Sequence, residues 1–290
     1  MQITLETIDI NKLEPYISGE ISEAPGCGIA SLDRYLRFKY NYTIIAGAAA
    51  TGKTIGMLRI FYEWANRLEK KTLLFCNENP PAELCLFLVE QKLGKYINHA
   101  ERSEIQEALE WVNEYFQFLP QDNKTNLRSV LELSWRVKIN LFNFDCLFID
   151  PYNSITAQFN YRDHYQGAGV MRDYVKEGQA LTTPIKLCVS MHVMSEAQRT
   201  RDKEGHIKCP HVSQLEMGSM HFNRCDDAIV IHRQTQSETR RYITELHVQK
   251  IKHSRTGGEC TPIDKPVELK FIKQTGGFEW STTTEKEAGF

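Results

Sequence analysis

The chain has 290 residues, 41% of them hydrophobic and 25% charged, with a formal net charge of −2. Such a balance supports a full buried core and excludes both a disordered chain and one that coats a polyanion with its whole surface. No apolar run approaches the roughly 18 residues needed to cross a bilayer, and "MQITLETIDINKLEP" lacks the basic and apolar regions of a signal peptide, so a cytoplasmic protein with no membrane partner is expected. The eight cysteines are scattered without a CxxC pair, several inside apolar runs such as "LLFC" and "DCLFI", and read as reduced core residues.

In chain order, residues 1–36 form a lead-in that ends in "PGCGIASLDRYL". A strand "YTIIAG", a helix over 53–69 and a strand "KTLLFCNE" follow, then two helical stretches across 81–114, a strand "YFQFL" and a helix over 125–139. Next come a strand "CLFID", a loop, a helix near 168–181, a strand "KLCVSMH", a long polar segment, and strands "DAIVIHR" and "YITELHVQKIK". Short apolar runs alternating with helical periodicity predict an α/β fold: a mostly parallel twisted sheet with helices on both faces. "VELKFIKQTGGFEW" predicts a C-terminal β-hairpin turned at Gly276 and Gly277. There is no internal repeat or low-complexity linker, so residues 37–282 are expected to form one domain, followed by a tail over 283–290.

The most specific stretch is "GAAATGKT", residues 47–54: Gly47, four residues, then Gly52, Lys53 and Thr54, preceded by a predicted strand and followed by a predicted helix. This is the full phosphate-binding loop in its required context. The backbone N–H groups of Gly47, Ala48, Ala49, Ala50, Thr51, Gly52, Lys53 and Thr54 would enclose a phosphate at the positive end of the helix. Lys53 would place its charge on the outer phosphates of ATP or another NTP, and the Thr54 hydroxyl would ligate Mg²⁺. A nucleotide site needs a carboxylate from the end of another buried strand to hold the metal's water shell; "CLFIDPYNS" supplies Asp150, which alone would read as a helix or turn cap but, paired with the loop, reads as the metal-holding acid.

Hydrolysis further needs a group that orients or deprotonates water. Glu78 in "KTLLFCNENP" is the candidate; a strand order that sets its strand beside the loop's strand would turn it to the γ-phosphate. The alternative is an N-cap-like acid before Pro80 and Pro81. "CVSMH" presents His192, either a sensor of the γ-phosphate or a structural histidine. In "HIKCPH", His206, Cys209 and His211 lack a nearby fourth ligand, so no zinc site is expected.

With "GIASLD" ahead of the loop, these elements resemble the RecA-like motor domain of the hexameric replicative DNA helicases: DnaB, the phage primase-helicases and the mitochondrial Twinkle protein. The resemblance spans residues 25–280. It implies that Glu78, in "FCNENPPAEL", is the catalytic glutamate; that His192, in "VSMHVMSEAQR", stands where phage and mitochondrial members carry histidine; and that Asn223, in "GSMHFNRCDDAIVIHR", holds a polar position reading DNA or nucleotide state. The family's last motif, a Lys-x-Arg that reaches a neighbouring subunit's γ-phosphate, is altered here. "VQKIKHSRTGG" has Lys250 and Lys252 at that spacing and Arg255 three residues on; guanidinium chemistry favours Arg255 as the finger, register favours Lys252.

The resemblance also places DNA-gripping loops at "NYRDHYQGAG" (160–169) and "SEAQRTRDKEGHIKCPHVSQLEMGS" (195–219), the latter with Arg199, Arg201, Lys203 and Lys208. Basic side chains beside Tyr161 and Tyr165 suit single-stranded DNA; Asp202 and Glu204 dilute the charge, as on an ordinary solvated face. The implied protein is an ATP- and Mg²⁺-dependent replicative helicase, a homo-hexamer moving on single-stranded DNA in a bacterial or phage-infected cell. A primase, zinc-binding or helical N-terminal domain is not among these residues, so a primase partner would be separate or lie on a longer chain. The alternative is a RecA- or KaiC-like ATPase that acts as recombinase, loader or switch without unwinding.

Overall fold

The computed structural model describes residues 9–18, 23–120, 126–155 and 161–281. After a 3-10 turn at Ile10–Lys12 come helices α1 (Glu14–Ile17) and α2 (Ala30–Asp33), then strand β1 (Tyr42–Gly47), α3 (Lys53–Leu68) and β2 (Thr72–Cys76). Helices α4 (Pro81–Leu93) and α5 (Arg102–Tyr115) lead to β3 (Phe116–Phe118), α6 (Leu127–Asn140), β4 (Cys146–Asp150), α7 (Tyr152–Ile155) and α8 (Tyr161–Ala180). The chain closes with β5 (Lys186–His192), α9 (Ser195–Arg199), α10 (Met220–Arg224), β6 (Asp227–His232), β7 (Ile243–Ile251), β8 (Val267–Ile272) and β9 (Gly277–Trp280).

All nine strands join one sheet in the order β3-β2-β4-β5-β1-β6-β7-β8-β9. The first six positions pair in parallel; β7, β8 and β9 extend the sheet antiparallel. The α/β reading, the cover on both faces and the C-terminal hairpin all appear. Gly276, at φ +71, closes that hairpin turn with its N–H on the Ile272 carbonyl. Only glycine adopts this region without strain.

Because successive side chains of a strand point to opposite faces, each central strand feeds two cores. Ile45, Leu74, Phe148 and Ile229 meet Met57, Phe61 and Trp64 of α3 and Leu88 of α4 on one face. Ile44, Leu73, Leu147 and Val189 meet Leu131 of α6 and Met171, Tyr174 and Val175 of α8 on the other. The lead-in is tied to the first core by Leu32 and Leu36, and the N–H groups of Cys27 and Gly28 bond the Asp33 carboxylate at 2.8 and 2.7 Å. The eight cysteines are free, and burial pushes the thiols of Cys27, Cys209 and Cys225 up to about 12, so they stay protonated. No helix among the described residues is long and apolar enough to cross a membrane.

Two expectations need correction. The stretch 160–169 does not form a loop over its described part: α8 starts at Tyr161, and Asn160 lies outside the described residues. Gly167 is a packing residue of this helix, since a Cβ there would lie 2.3 Å from Tyr152 Oη; one on Gly169 would meet Arg224 Nη1, the far end of a flexible side chain, at 2.8 Å. The second correction is strand order: β4 and β5 stand between β2 and β1, so the strand before Glu78 is not beside the loop's strand.

Tyr152 is fully buried in the second core, so a shift of its ring would disturb the residues packed around it. Gly167→Ala should therefore cost about 1–3 kcal/mol of stability, despite alanine's higher helix propensity, as read from urea unfolding. A neutral or stabilised variant would show that α8 does not pack this closely on α7.

Candidate functional site

Parallel strands deliver their C-terminal ends to one edge of the sheet, and the predicted nucleotide residues gather there. The phosphate loop leaves β1 at Gly47, where a Cβ would come within 2.5 Å of the Ile231 carbonyl oxygen; no other residue fits beside β6. Gly52 takes φ +87 at the start of α3, and Ala50 turns at φ +59. Ala48 and Thr51 are buried while Ala49 and Ala50 are exposed, and the Thr51 hydroxyl donates to the Ala48 carbonyl at 2.9 Å. The Lys53 ammonium, also buried, donates to the carbonyls of Gly47 and Ala48 at 3.2 and 2.8 Å. Burial lowers its pKa, and the charges of Asp150 and Glu78 oppose that shift.

Asp150 ends β4 and its carboxylate accepts the Thr54 hydroxyl at 2.5 Å. Its side chain is thus turned to the loop, 96 residues away in sequence, and not to a local turn. Glu78 follows β2 in a turn anchored by the Asn77 N–H on the Asp150 carbonyl at 2.9 Å. Pro80 is the N-cap of α4, with no side-chain cap bond, so Glu78 does not act as the cap. Its carboxylate, about half exposed, lies 3.8 Å from His192 Nε2 at the end of β5. Glu78 reaches across the end of β4 even though two strands separate its own from β1.

His192 joins the cluster through both ring and backbone. Burial and the neighbouring Lys53 charge lower its pKa, against the pull of Glu78, Glu216 and Asp150. Its N–H is held by Asn153 Oδ1 at 2.9 Å, its carbonyl by the Glu216 N–H at 3.0 Å, and Asn153 Nδ2 donates to Glu216 at 2.7 Å. Nothing in the sequence singles out Asn153 beyond its place three residues after Asp150. Arg233 is equally hidden: one residue past β6, it donates to the Ala50 carbonyl at 2.9 Å and so braces the loop.

Beyond His192 the chain makes an excursion that returns at 214–216, closed by the Val193–Leu215 bridge. Within it, Thr200 to Lys208 forms a small hairpin with an Arg201–Ile207 bridge, and Asp202 accepts the N–H groups of Glu204 and His206 at 2.9 Å. One carboxylate suspected of diluting the charge is therefore building the turn. Arg199, Arg201, Lys203 and Lys208 are all exposed on this excursion. Asn223, on α10, is also exposed, and among the described residues no hydrogen bond ties its side chain to the nucleotide site.

Lys252 and Arg255 are not part of this cluster. β7 runs antiparallel to β6, pairing Ile251 with Asp227, so both residues lie at the opposite edge of the sheet. Lys252 is paired with Asp226 at 2.8 Å, and Lys250 with the carbonyls of Phe222 and Cys225. Arg255 sits exposed on a 3-10 turn, Ser254–Thr256, with no ion pair among the described residues.

The same arrangement of sheet and helices occurs in a solved ATPase domain, with a TM-score of 0.71 at 16% identity, covering 94% of this chain and 99% of that one. It occurs also in a DnaB-like replicative helicase described with its interactions with primase, with a TM-score of 0.68 at 17% identity, covering 93% of this chain and 68% of that one. The chain has the RecA-like fold of DnaB-like helicase ATPase domains. No family model and no curated protein sequence matches it.

The residues at this edge could hold a nucleotide together with Mg²⁺. Among the described residues no three of His, Cys, Asp and Glu gather into a protein-only metal cage. Mg²⁺ characteristically keeps its waters and takes one or two protein oxygens plus substrate phosphates. Thr54 Oγ1 and Asp150 are placed to be those oxygens.

Because its pKa is lowered from 6.5, His192 is neutral at pH 7. Its share of stability is complete above pH 6.5 and is lost as the pH falls toward the folded-state value. An NMR titration should place His192 below 6.5, and Lys53→Met, by removing a neighbouring positive charge, should raise it. A value at or above 6.5 would show that the ring is not desolvated as described, and no response to the substitution would show that the Lys53 charge does not reach His192.

Proposed function

We propose that the chain is an ATP-hydrolysing motor that moves on single-stranded DNA as a ring and unwinds duplex. The observation that carries this reading is the meeting of Lys53, Thr54, Asp150, Glu78 and His192 at one sheet edge, with the root of a basic hairpin attached to His192. Lys53 and the loop N–H groups would hold the β- and γ-phosphates. Thr54 and Asp150 would hold Mg²⁺, which neutralises phosphate charge when bound. Glu78, half exposed at 52%, would accept the proton of the water attacking the γ-phosphorus as the bond to the ADP oxygen breaks.

His192 is suited to link the two ends of the machine. Its ring faces Glu78, and its backbone is clamped by Asn153 and Glu216 at the base of the excursion that carries Arg199, Arg201, Lys203 and Lys208. A change at the γ-phosphate felt by Glu78 would thus be passed to a surface suited to DNA phosphates. Lys252 and Arg255 lie too far from their own phosphate loop to act there. They suit action in trans on a second copy, and Arg255, exposed and without an ion pair among the described residues, is the better finger. A hexamer and a primase partner are proposed from the fold, the primase because the DnaB-like helicase above is described with one.

The deciding experiment is NTP hydrolysis with and without single-stranded DNA, alongside the native mass of the assembly. We expect DNA-stimulated hydrolysis by an oligomer; an unstimulated monomer would sink the proposal. Glu78→Gln should lower hydrolysis about 10²–10⁴-fold while leaving nucleotide binding intact. Arg255→Ala should cost on the order of 10³-fold and Lys252→Ala much less; the reverse ranking would assign the finger to Lys252. Reversing charge at Arg201 and Lys203 should abolish stimulation by DNA. Unchanged DNA binding in that variant would favour a switch ATPase of the RecA or KaiC kind.

A further inference from the structure

At the edge of the sheet opposite the phosphate loop, a cavity of about 530 Å³ opens between the start of β1, α8 and the end of β7. The six residues of β1 separate it from the loop by about 20 Å. Its volume is within the range of small-molecule sites. Its walls are basic.

Lys39, just ahead of β1, lines the cavity and is 9% exposed. Its ammonium has three donors and makes one hydrogen bond among the described residues, a long 3.4 Å contact to the His253 carbonyl. Burial lowers its pKa, and the nearby Lys186 and Arg37 add to that, while Asp227 and Asp226 oppose it. Arg172 and Lys176, one turn apart on α8, line the same cavity and have no ion pair among the described residues. Two of the carboxylates at hand, Asp226 and Asp145, are engaged elsewhere. Asp226 accepts from Lys252 at 2.8 Å and from the Tyr42 N–H at 3.1 Å; Asp145 is paired with Lys70. Asp227 accepts from Asn41 with Oδ2, and the Asn41 carbonyl accepts the fully buried Lys186 ammonium at 2.8 Å; Asp227 Oδ1 has no hydrogen-bond partner among the described residues, and its charge acts on Lys39. Three cations around one concavity have no ion pair among the described residues, and the charge of Lys39, the most buried of them, is offset only in part by Asp227 and Asp226.

We propose that this cavity binds a small phosphorylated anion, a nucleotide or a polyphosphate, at a site separate from the phosphate loop. A phosphate has the oxygens to satisfy the idle Lys39 donors and to meet the planar fork of Arg172 in a bidentate pair, with Lys176 adding charge at the mouth. The Tyr40 ring supplies an aromatic wall, held by its hydroxyl, which donates to Asp145 at 2.6 Å. Such a wall suits a base if the ligand carries one.

The test uses the full chain with Lys53→Ala, which disables the phosphate loop, titrated calorimetrically with inorganic tripolyphosphate and with ADP. We expect one equivalent to bind, and binding at least tenfold weaker when Arg172→Glu or Lys39→Met is added. Lys176→Glu combined with Arg172→Glu, both away from the core, serves if Lys39→Met does not fold. ADP binding tighter than tripolyphosphate would assign the site to a nucleotide; equal or weaker ADP binding would assign it to the polyphosphate. No binding to the Lys53→Ala chain, or binding that survives both Arg172→Glu and Lys39→Met, overturns the proposal. So would loss of single-stranded DNA binding in Arg172→Glu without any tripolyphosphate binding, which would give these cations to DNA. Failure here leaves DNA-stimulated hydrolysis untouched, so it is distinguishable from failure of the motor reading.

Discussion

Parallel pairing of β2, β4, β5, β1 and β6 is the constraint from which the rest follows. Each strand must leave the sheet at the same edge, so the residues after Cys76, Asp150, His192, Gly47 and His232 become neighbours although they are spread over most of the chain. Every one of these strands is buried on both faces by helices, which leaves little freedom for one to slide against the next. The side chains at the edge are therefore held by a frame that they do not themselves have to build. Their own bonds, such as Thr54 to Asp150 and Arg233 to Ala50, make only the final adjustment.

How much of this can be read in the sequence depends on distance along the chain. Residues 47–54 are contiguous, and their chemistry demands a fixed order, so the loop and its helix are plain. Asp150 and His192 are legible because each closes an apolar run, and the end of a strand is a definite place. Glu78 is legible as a residue but not as a geometry: two strands intervene, and nothing local states that the turn after β2 crosses the end of β4. Asn153 and Arg233 act through backbone groups of partners far away in sequence, which leave no pattern to detect.

The resemblance places a loop at 160–169 where α8 begins, and glycine, which carries two meanings, does not decide between the two. In a turn it offers a positive φ, and in a helix it allows a close neighbour; Gly167 does the second, against Tyr152. The hairpin at Thr200–Lys208 is hidden for the opposite reason. Its strands are one bridge long, and its turn depends on Asp202 taking two N–H groups, so there is no apolar alternation to see. The charge pattern alone does not distinguish a carboxylate that builds a turn from one that offsets a basic surface.

The two rims of the sheet also bear on how copies of this chain can meet. β3 has three residues and β9 has four, so each offers a stranger's backbone very few open N–H and C=O groups. Edge-to-edge strand addition, the cheapest way for sheet proteins to stick together, is thereby suppressed. Among the described residues, a contact between copies would then fall to side chains on loops and helices, which can slip or re-form without unzipping a backbone ladder.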